Sequence, residues 1–97
     1  MVEFSASEKE SLFRVRFFYP GVSGHIVALA GVFNDWDPAR DEMIYSDDQS
    51  GYSCELFLPA GLYEYKLVVD GQWLRDEGNN EFVSNDFGTL NSIVEVK

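Results

Sequence analysis

The 97-residue sequence contains one cysteine and one histidine. A lone Cys54 excludes an internal disulfide, so the fold does not require an oxidising compartment. Its alternation with Leu56 and Leu58 indicates a core thiol. Ser-His-Asp or Cys-His catalysis would have to use His25, which lies where a loop meets a predicted strand. We interpret His25 as an ordinary surface histidine and expect a chain that is not an enzyme.

Basic residues are also scarce, with 7 Lys and Arg against 17 Asp and Glu and a net charge of −10. The basic residues are scattered along the chain, whereas phosphate backbones and anionic lipids need a basic patch. We therefore expect neither nucleic acid nor membrane as a partner. A neutral ligand fits this charge, as does an acidic surface that only confers solubility. The N-terminus does not read as a signal peptide and no apolar run approaches the ~20 residues of a membrane span, so we expect a cytoplasmic location.

Motifs for metals and cofactors are missing too. Asp35, Asp37, Asp41 and Glu42 form an acidic cluster, but it lacks the glycine and the terminal spacing of a calcium loop. A glycine-rich phosphate loop is absent as well, and we expect no metal and no cofactor. Paired carboxylates for glycoside hydrolysis would have to come from Asp35, Asp37 and Asp70, in a domain too small for a deep cleft.

What the chain does have is strand periodicity. Phe13, Val15, Phe17 and Tyr19 alternate with polar or outward positions, which is typical of a half-buried strand. Similar short segments, separated by turns, predict strands at 12–19, 25–30, 43–45, 52–58, 62–69, 72–75 and 92–96. The pattern predicts an all-β, two-sheet antiparallel β-sandwich. We expect a short N-terminal arm over residues 1–10 and one domain over residues 11–97.

Two tryptophans lie beside turn residues, where a core ring would not be expected. Trp36 follows Asn34-Asp35, and Trp73 follows the Asp70-Gly71 turn signal. Each ring taken alone could equally be structural. Together with Lys66, on the outward face of the strand leading to that turn, they suggest a binding surface. Rings for the apolar face of a sugar, and Lys, Asn and Thr groups for its hydroxyls, would meet the chemistry of a carbohydrate.

Three ordered motifs carry a family resemblance. Residues 27–36 (VALAGVFNDW), 58–73 (LPAGLYEYKLVVDGQW) and 88–96 (GTLNSIVEV) resemble the opening, centre and end of carbohydrate-binding module family 48. Within that family the chain is most similar to the glycogen-binding domains of AMP-activated protein kinase β subunits. The resemblance runs over nearly the whole chain, from about residue 12 to residue 97.

The resemblance implies an immunoglobulin-like sandwich that binds α-1,4-glucans such as glycogen, starch and maltooligosaccharides. By position, Trp36 and Trp73 would stack on glucose rings, while Lys66 and Asn91 would hydrogen-bond hydroxyls. Thr89 would add a polar contact, and Phe87 stands where the kinase domains have a leucine that reaches into the curve of the glucan.

Two alternatives remain open at this point. The chain could be an adaptor that docks to or regulates a glycogen-metabolising enzyme or kinase, with the sugar site secondary; its acidic surface would suit a basic partner. A small glycosidase is the other alternative, which would need two facing carboxylates beside the tryptophans.

Overall fold

The structure is a computed structural model that describes residues 2–6 and 12–97. Ten β-strands and one short 3₁₀-helix (Val32–Asn34) occur within these residues, with no α-helix among them. The strands are β1 (Val2–Ala6), β2 (Leu12–Pro20), β3 (Val27–Gly31), β4 (Asp41–Glu42), β5 (Ile44–Ser46), β6 (Gly51–Pro59), β7 (Gly61–Val69), β8 (Gln72–Leu74), β9 (Phe82–Ser84) and β10 (Leu90–Val96).

The strands form two antiparallel sheets. The first sheet has the order β1-β2-β6-β5, and the second has the order β4-β3-β7-β10-β9. Strand β7 pairs with β3 along one edge. Along its other edge it pairs with β10 through residues 61–65 and with β8 through residues 67–69. Strands β8 and β10 therefore lie end to end beside β7, which brings the turn after β7 close to the start of β10.

The core lies between the sheets and is built from the inward positions of the long strands. Phe17 and Tyr65 meet edge to face, with 5.1 Å between ring centroids. Leu29 and Leu67 are fully buried beside them. The thiol of Cys54 packs against this cluster, as its alternation with Leu56 and Leu58 predicted.

The predicted two-sheet sandwich is confirmed, although strands β4 and β9 were not predicted. The strand predicted over residues 43–45 begins one residue later, at Ile44, and β4 lies on the other side of Met43, which is buried. Residues 41–42 pair with β3 in the second sheet, and residues 44–46 pair with β6 in the first. The Met43 N–H donates to the Val27 carbonyl at 2.7 Å. The chain thus crosses between the sheets at a residue whose side chain fills the core.

The predicted N-terminal arm is described only over Val2–Ala6, which pair with β2 as the edge strand of the first sheet. Residues 1 and 7–11 lie outside the described residues, and the boundary at residue 11 stays a prediction. Within the described part of the chain, no helix is long and apolar enough to cross a membrane.

Candidate functional site

Strand register alone places three of the predicted site residues on the outer face of the second sheet. Tyr65 and Leu67 of β7 point into the core, so Lys66 points outward between them. Trp73 of β8 is paired with Val68, another outward position, and is 45% exposed. Ser92 of β10 is fully buried, which places the preceding Asn91 on the outer face.

The Asp70-Gly71 turn fixes where Trp73 begins its strand. Both residues have positive φ, 51° at Asp70 and 84° at Gly71. Such a turn matches the right-handed twist of the strands that it joins. Asp70 is also tied to the neighbouring loop, because its carboxylate accepts from the Ile26 N–H at 2.8 Å and contacts His25 Nδ1 at 2.6 Å.

Trp36 reaches the same face from the loop that follows β3. Asp35 and Trp36 both have left-handed backbone conformations, with φ of 58° and 59°. A bulky residue rarely adopts this conformation, which costs about 1–3 kcal/mol and clusters at functional sites. The Trp36 N–H donates to the Gly31 carbonyl at 2.9 Å. The loop thus holds Trp36 in a backbone conformation that a bulky residue rarely adopts.

Asn34 holds this loop in place, a role that the sequence did not reveal. Its side chain is buried and accepts from the Gly31 N–H at 3.0 Å. Its amide nitrogen donates to the Leu29 carbonyl at 3.0 Å and to the Asp41 carboxylate at 2.7 Å. The only available signal was an asparagine within a turn-rich segment, which does not distinguish a buried residue from an exposed one.

Phe87 and Thr89 come from the loop between β9 and β10. Phe87 is 91% exposed at the tip of this loop. Gly88 has φ of 80°, a conformation that favours glycine, and its N–H donates to the Asn85 carbonyl at 3.2 Å. The Asn85 side chain accepts from the backbone N–H groups of Phe87 at 2.9 Å and Thr89 at 3.1 Å.

A network of hydrogen bonds joins the polar side chains. Lys66 Nζ donates to Thr89 Oγ1 at 3.2 Å and to the Leu90 carbonyl at 2.8 Å. Asn91 donates to the Glu64 carboxylate at 3.0 Å. An ammonium has three N–H groups, so Lys66 retains one for a ligand. The Thr89 oxygen accepts from both Lys66 and Asn85, which leaves its own O–H free to donate.

These side chains surround one open depression of about 480 Å³. Its lining consists of Trp36, Lys66, Trp73, Asn85, Asp86, Phe87, Thr89 and Asn91. All six residues predicted for the site are among them; Asn85 and Asp86 are additional. The volume lies within the range of about 300–1,000 Å³ that is usual for small-molecule sites.

The carboxylates weighed for hydrolysis lie elsewhere. Asp35, Asp37 and Asp70 do not line the depression. Arg40 forms ion pairs with both Asp35 and Asp37, at 3.4 and 3.5 Å. In the part of the chain that the structure describes, His, Cys, Asp and Glu side chains form no group of three or more that could hold a metal. The lining of the depression therefore consists mainly of aromatic rings and hydrogen-bond donors. Asp86 is the single carboxylate in this lining.

Comparison with known proteins identifies the class to which this fold and face belong. Residues 13–97 match the family described as the glycogen recognition site of AMP-activated protein kinase, and the chain belongs to this family. The resemblance drawn from the three motifs is thus confirmed.

Among similar proteins, 5′-AMP-activated protein kinase subunit beta-1 of Rattus norvegicus is 36% identical over 74 residues. The match covers 76% of this chain and 26% of the rat protein. Subunit beta-1 of Sus scrofa is 35% identical, over 76% of this chain and 57% of the pig protein. Subunit beta-2 of Mus musculus is 35% identical, over 76% of this chain and 26% of its own length. The chain thus spans about a quarter of the rat and mouse subunits.

Proposed function

We propose that the chain is a non-catalytic module that binds α-1,4-linked glucans such as glycogen, starch and maltooligosaccharides. The observation that carries the proposal is the shared lining of one depression by Trp36 and Trp73 and by the donors of Lys66 and Thr89. A glucose unit offers an apolar C–H face to a ring and hydroxyl oxygens to donors at its edge. Membership of a glycogen recognition family supports the same ligand.

In this proposal the tryptophans stack on glucose units of one chain, and the polar network binds their hydroxyls. The remaining N–H of Lys66 and the O–H of Thr89 donate to sugar oxygens. Asn91 is only 5% exposed, so it contacts the sugar through a small part of its amide. The donors come pre-positioned by bonds within the protein, which lowers the ordering cost of binding. The open site and a well-hydrated ligand together predict micromolar to millimolar affinity, or ~4–8 kcal/mol.

Titration with maltoheptaose, followed by tryptophan fluorescence and calorimetry, tests the proposal. Trp73→Ala should weaken binding at least about tenfold, because the lost ring is a central contact. Phe57→Ala is the matched control, since Phe57 is 56% exposed on the outer face of the first sheet, away from the depression. Cellohexaose, a β-1,4-linked and straighter glucan, should bind more weakly. Lack of saturation by maltoheptaose, or equal binding by the Trp73 variant, would reject the proposal.

A second candidate function is docking to a protein such as a glycogen-metabolising enzyme or a kinase. The similar proteins are named as kinase subunits and are longer than this chain. Ile44 and Phe57 are 74% and 56% exposed. Both lie on the outer face of the first sheet, on the opposite side of the sandwich from the depression. A surface of this kind can bind a partner while the depression holds a glucan.

Affinity purification after amylase treatment separates the two functions. Docking predicts one protein retained reproducibly by the wild type and by Trp73→Ala, but lost with Ile44→Asp. Loss of all retained protein after amylase treatment would instead show that the glucan had bridged it, and would reject docking.

A further inference from the structure

The side-chain amide of Asn85 is the most heavily bonded polar group at the rim of the depression. Its oxygen accepts from the N–H groups of Phe87 and Thr89, at 2.9 and 3.1 Å. Its nitrogen donates to Thr89 Oγ1 at 2.7 Å and to Asn91 Oδ1 at 3.2 Å. Both ends of the amide are therefore occupied by residues that line the depression, and little is left for a ligand.

The backbone of Asn85 closes the same loop. Its N–H donates to the Thr89 carbonyl at 2.9 Å, and its carbonyl accepts from the Gly88 N–H at 3.2 Å. Phe87 lies at the tip, and its ring has no aromatic partner among the described residues. Asn85 therefore holds the backbone that carries the Phe87 ring, and within the described part of the chain no aromatic contact packs against the ring itself.

We propose that Asn85 is a positioning residue that holds the backbone carrying Phe87 and Thr89 in the conformation in which the depression binds a glucan. The inference rests on the proposed function. Through its nitrogen, Asn85 also orients the Thr89 oxygen and the Asn91 amide in the floor.

The Asn85 side chain accepts hydrogen bonds through its oxygen and donates them through its nitrogen. Two substitutions separate these two roles. Asn85→Ala removes every side-chain bond. Asn85→Asp keeps an oxygen that accepts from the Phe87 and Thr89 N–H groups, a common arrangement in Asx turns. It removes the donations to Thr89 and Asn91 and places a carboxylate oxygen against the Asn91 oxygen. The aspartate variant should therefore preserve the backbone at Phe87 but disturb the side chains of Thr89 and Asn91.

The experiment is a double-mutant cycle with β-cyclodextrin, a closed ring of seven glucose units, and with maltoheptaose, the open chain of the same length. Asn85→Ala should weaken the binding of both ligands about three- to thirtyfold. Phe87→Ala should weaken the binding of both as well. The double variant should lose less than the product of the two single losses, because Asn85 acts in part through Phe87.

Backbone amide exchange measured by NMR provides a readout that does not depend on the ligand. The Phe87 and Thr89 amides should be protected in the wild type and in Asn85→Asp, and should exchange faster in Asn85→Ala. Asn80→Ala, a change at an exposed asparagine outside the depression, is the control for both measurements. An unchanged unfolding midpoint in each variant confirms that the domain remains folded.

The outcomes distinguish this inference from the proposed function. If the wild type binds neither glucan, the proposed function fails. If the wild type binds and Trp73→Ala does not, but Asn85→Ala retains wild-type affinity, only the role of Asn85 is overturned. Multiplicative losses in the double-mutant cycle would likewise overturn it, since they would show that Asn85 and Phe87 act independently.

Discussion

At the scale of single residues, position 31 requires glycine because there is no room for a side chain, and not because of an unusual backbone conformation. Its φ of −165° is extended and accessible to any residue. A Cβ atom at this position would lie 2.7 Å from the Glu64 carbonyl oxygen and 2.7 Å from Tyr65 Cβ. The close approach lets β3 end tightly against β7, where the loop to Trp36 begins.

Gly31→Ala should lower the free energy of unfolding by about 1–3 kcal/mol, because the backbone and core atoms around it cannot move aside cheaply. Gly21→Ala is the matched control, since its nearest neighbour would be an ordinary 3.6 Å away. Urea unfolding of both variants measures the difference. Equal stabilities for the two variants would show that β3 and β7 separate easily.

Asp70 makes a second residue-scale contribution, one that depends on pH. The pKa of its carboxyl is lowered from the ordinary 3.8, first by the hydrogen bond from the Ile26 N–H and then by the His25 side chain. A group with a lowered pKa in the folded state stabilises the protein at pH values above its unfolded pKa. The stabilisation is lost as pH falls through the folded pKa.

Asp70→Asn should therefore be less stable than the wild type at neutral pH, and the difference should shrink as pH falls below the ordinary value of 3.8. Asparagine tolerates the left-handed conformation of this turn position, so the backbone is retained. Unfolding midpoints between about pH 2.5 and pH 7 measure the trend. A gap that widens towards acid would contradict this assignment of the Asp70 hydrogen bonds.

At the scale of elements, the loop between β3 and β4 shows how a buried amide can control an aromatic contact. The Asn34 side chain bonds to groups of Leu29, Gly31 and Asp41. An unpaired buried group costs about 1–3 kcal/mol, so these bonds favour the observed course of the loop. The left-handed turn at Trp36 follows from that course.

Asn34→Ala should lower stability by about 1–3 kcal/mol and should also weaken glucan binding, because Trp36 loses its support. Stability comes from urea unfolding and affinity from maltoheptaose titration. The exposed Asn80→Ala should change neither. Full affinity in a destabilised Asn34 variant would indicate that Trp36 contributes little to binding.

The elements also show how far sequence reasoning could go. Strands such as β2 and β7 were predictable because each runs for 9 residues, enough for alternation to be visible. Strands β4 and β9, of 2 and 3 residues, are too short to show a period and are defined by their pairing with β3 and β10. Similarly, strand register and the family motif allowed Lys66 and Trp73 to be predicted as site residues. The roles of Asn34 and Asn85 depend on hydrogen bonds set by loop conformation, which residue type does not specify.

At the scale of the whole molecule, charge acts on stability and on binding in different ways. The net charge of −10 is spread over a small domain, and its parts repel one another. Ion pairs such as Arg14–Glu55 and Lys97–Glu95 join exposed side chains. Pairs of this kind contribute about 0–1 kcal/mol and do not offset the excess of acids.

Added sodium chloride should therefore stabilise the fold but leave glucan affinity nearly unchanged. Screening shortens the range of the repulsion from about 30 Å at 0.01 M salt to about 3 Å at 1 M, so the urea midpoint should rise with salt. A glucan carries no charge, and its stacking and hydrogen bonds are short-ranged. Maltoheptaose affinity, measured over the same salt series, should thus vary less than about threefold. A tenfold loss of maltoheptaose affinity with salt would contradict this prediction and would show that charges of the protein, such as Lys66, control the conformation of the depression.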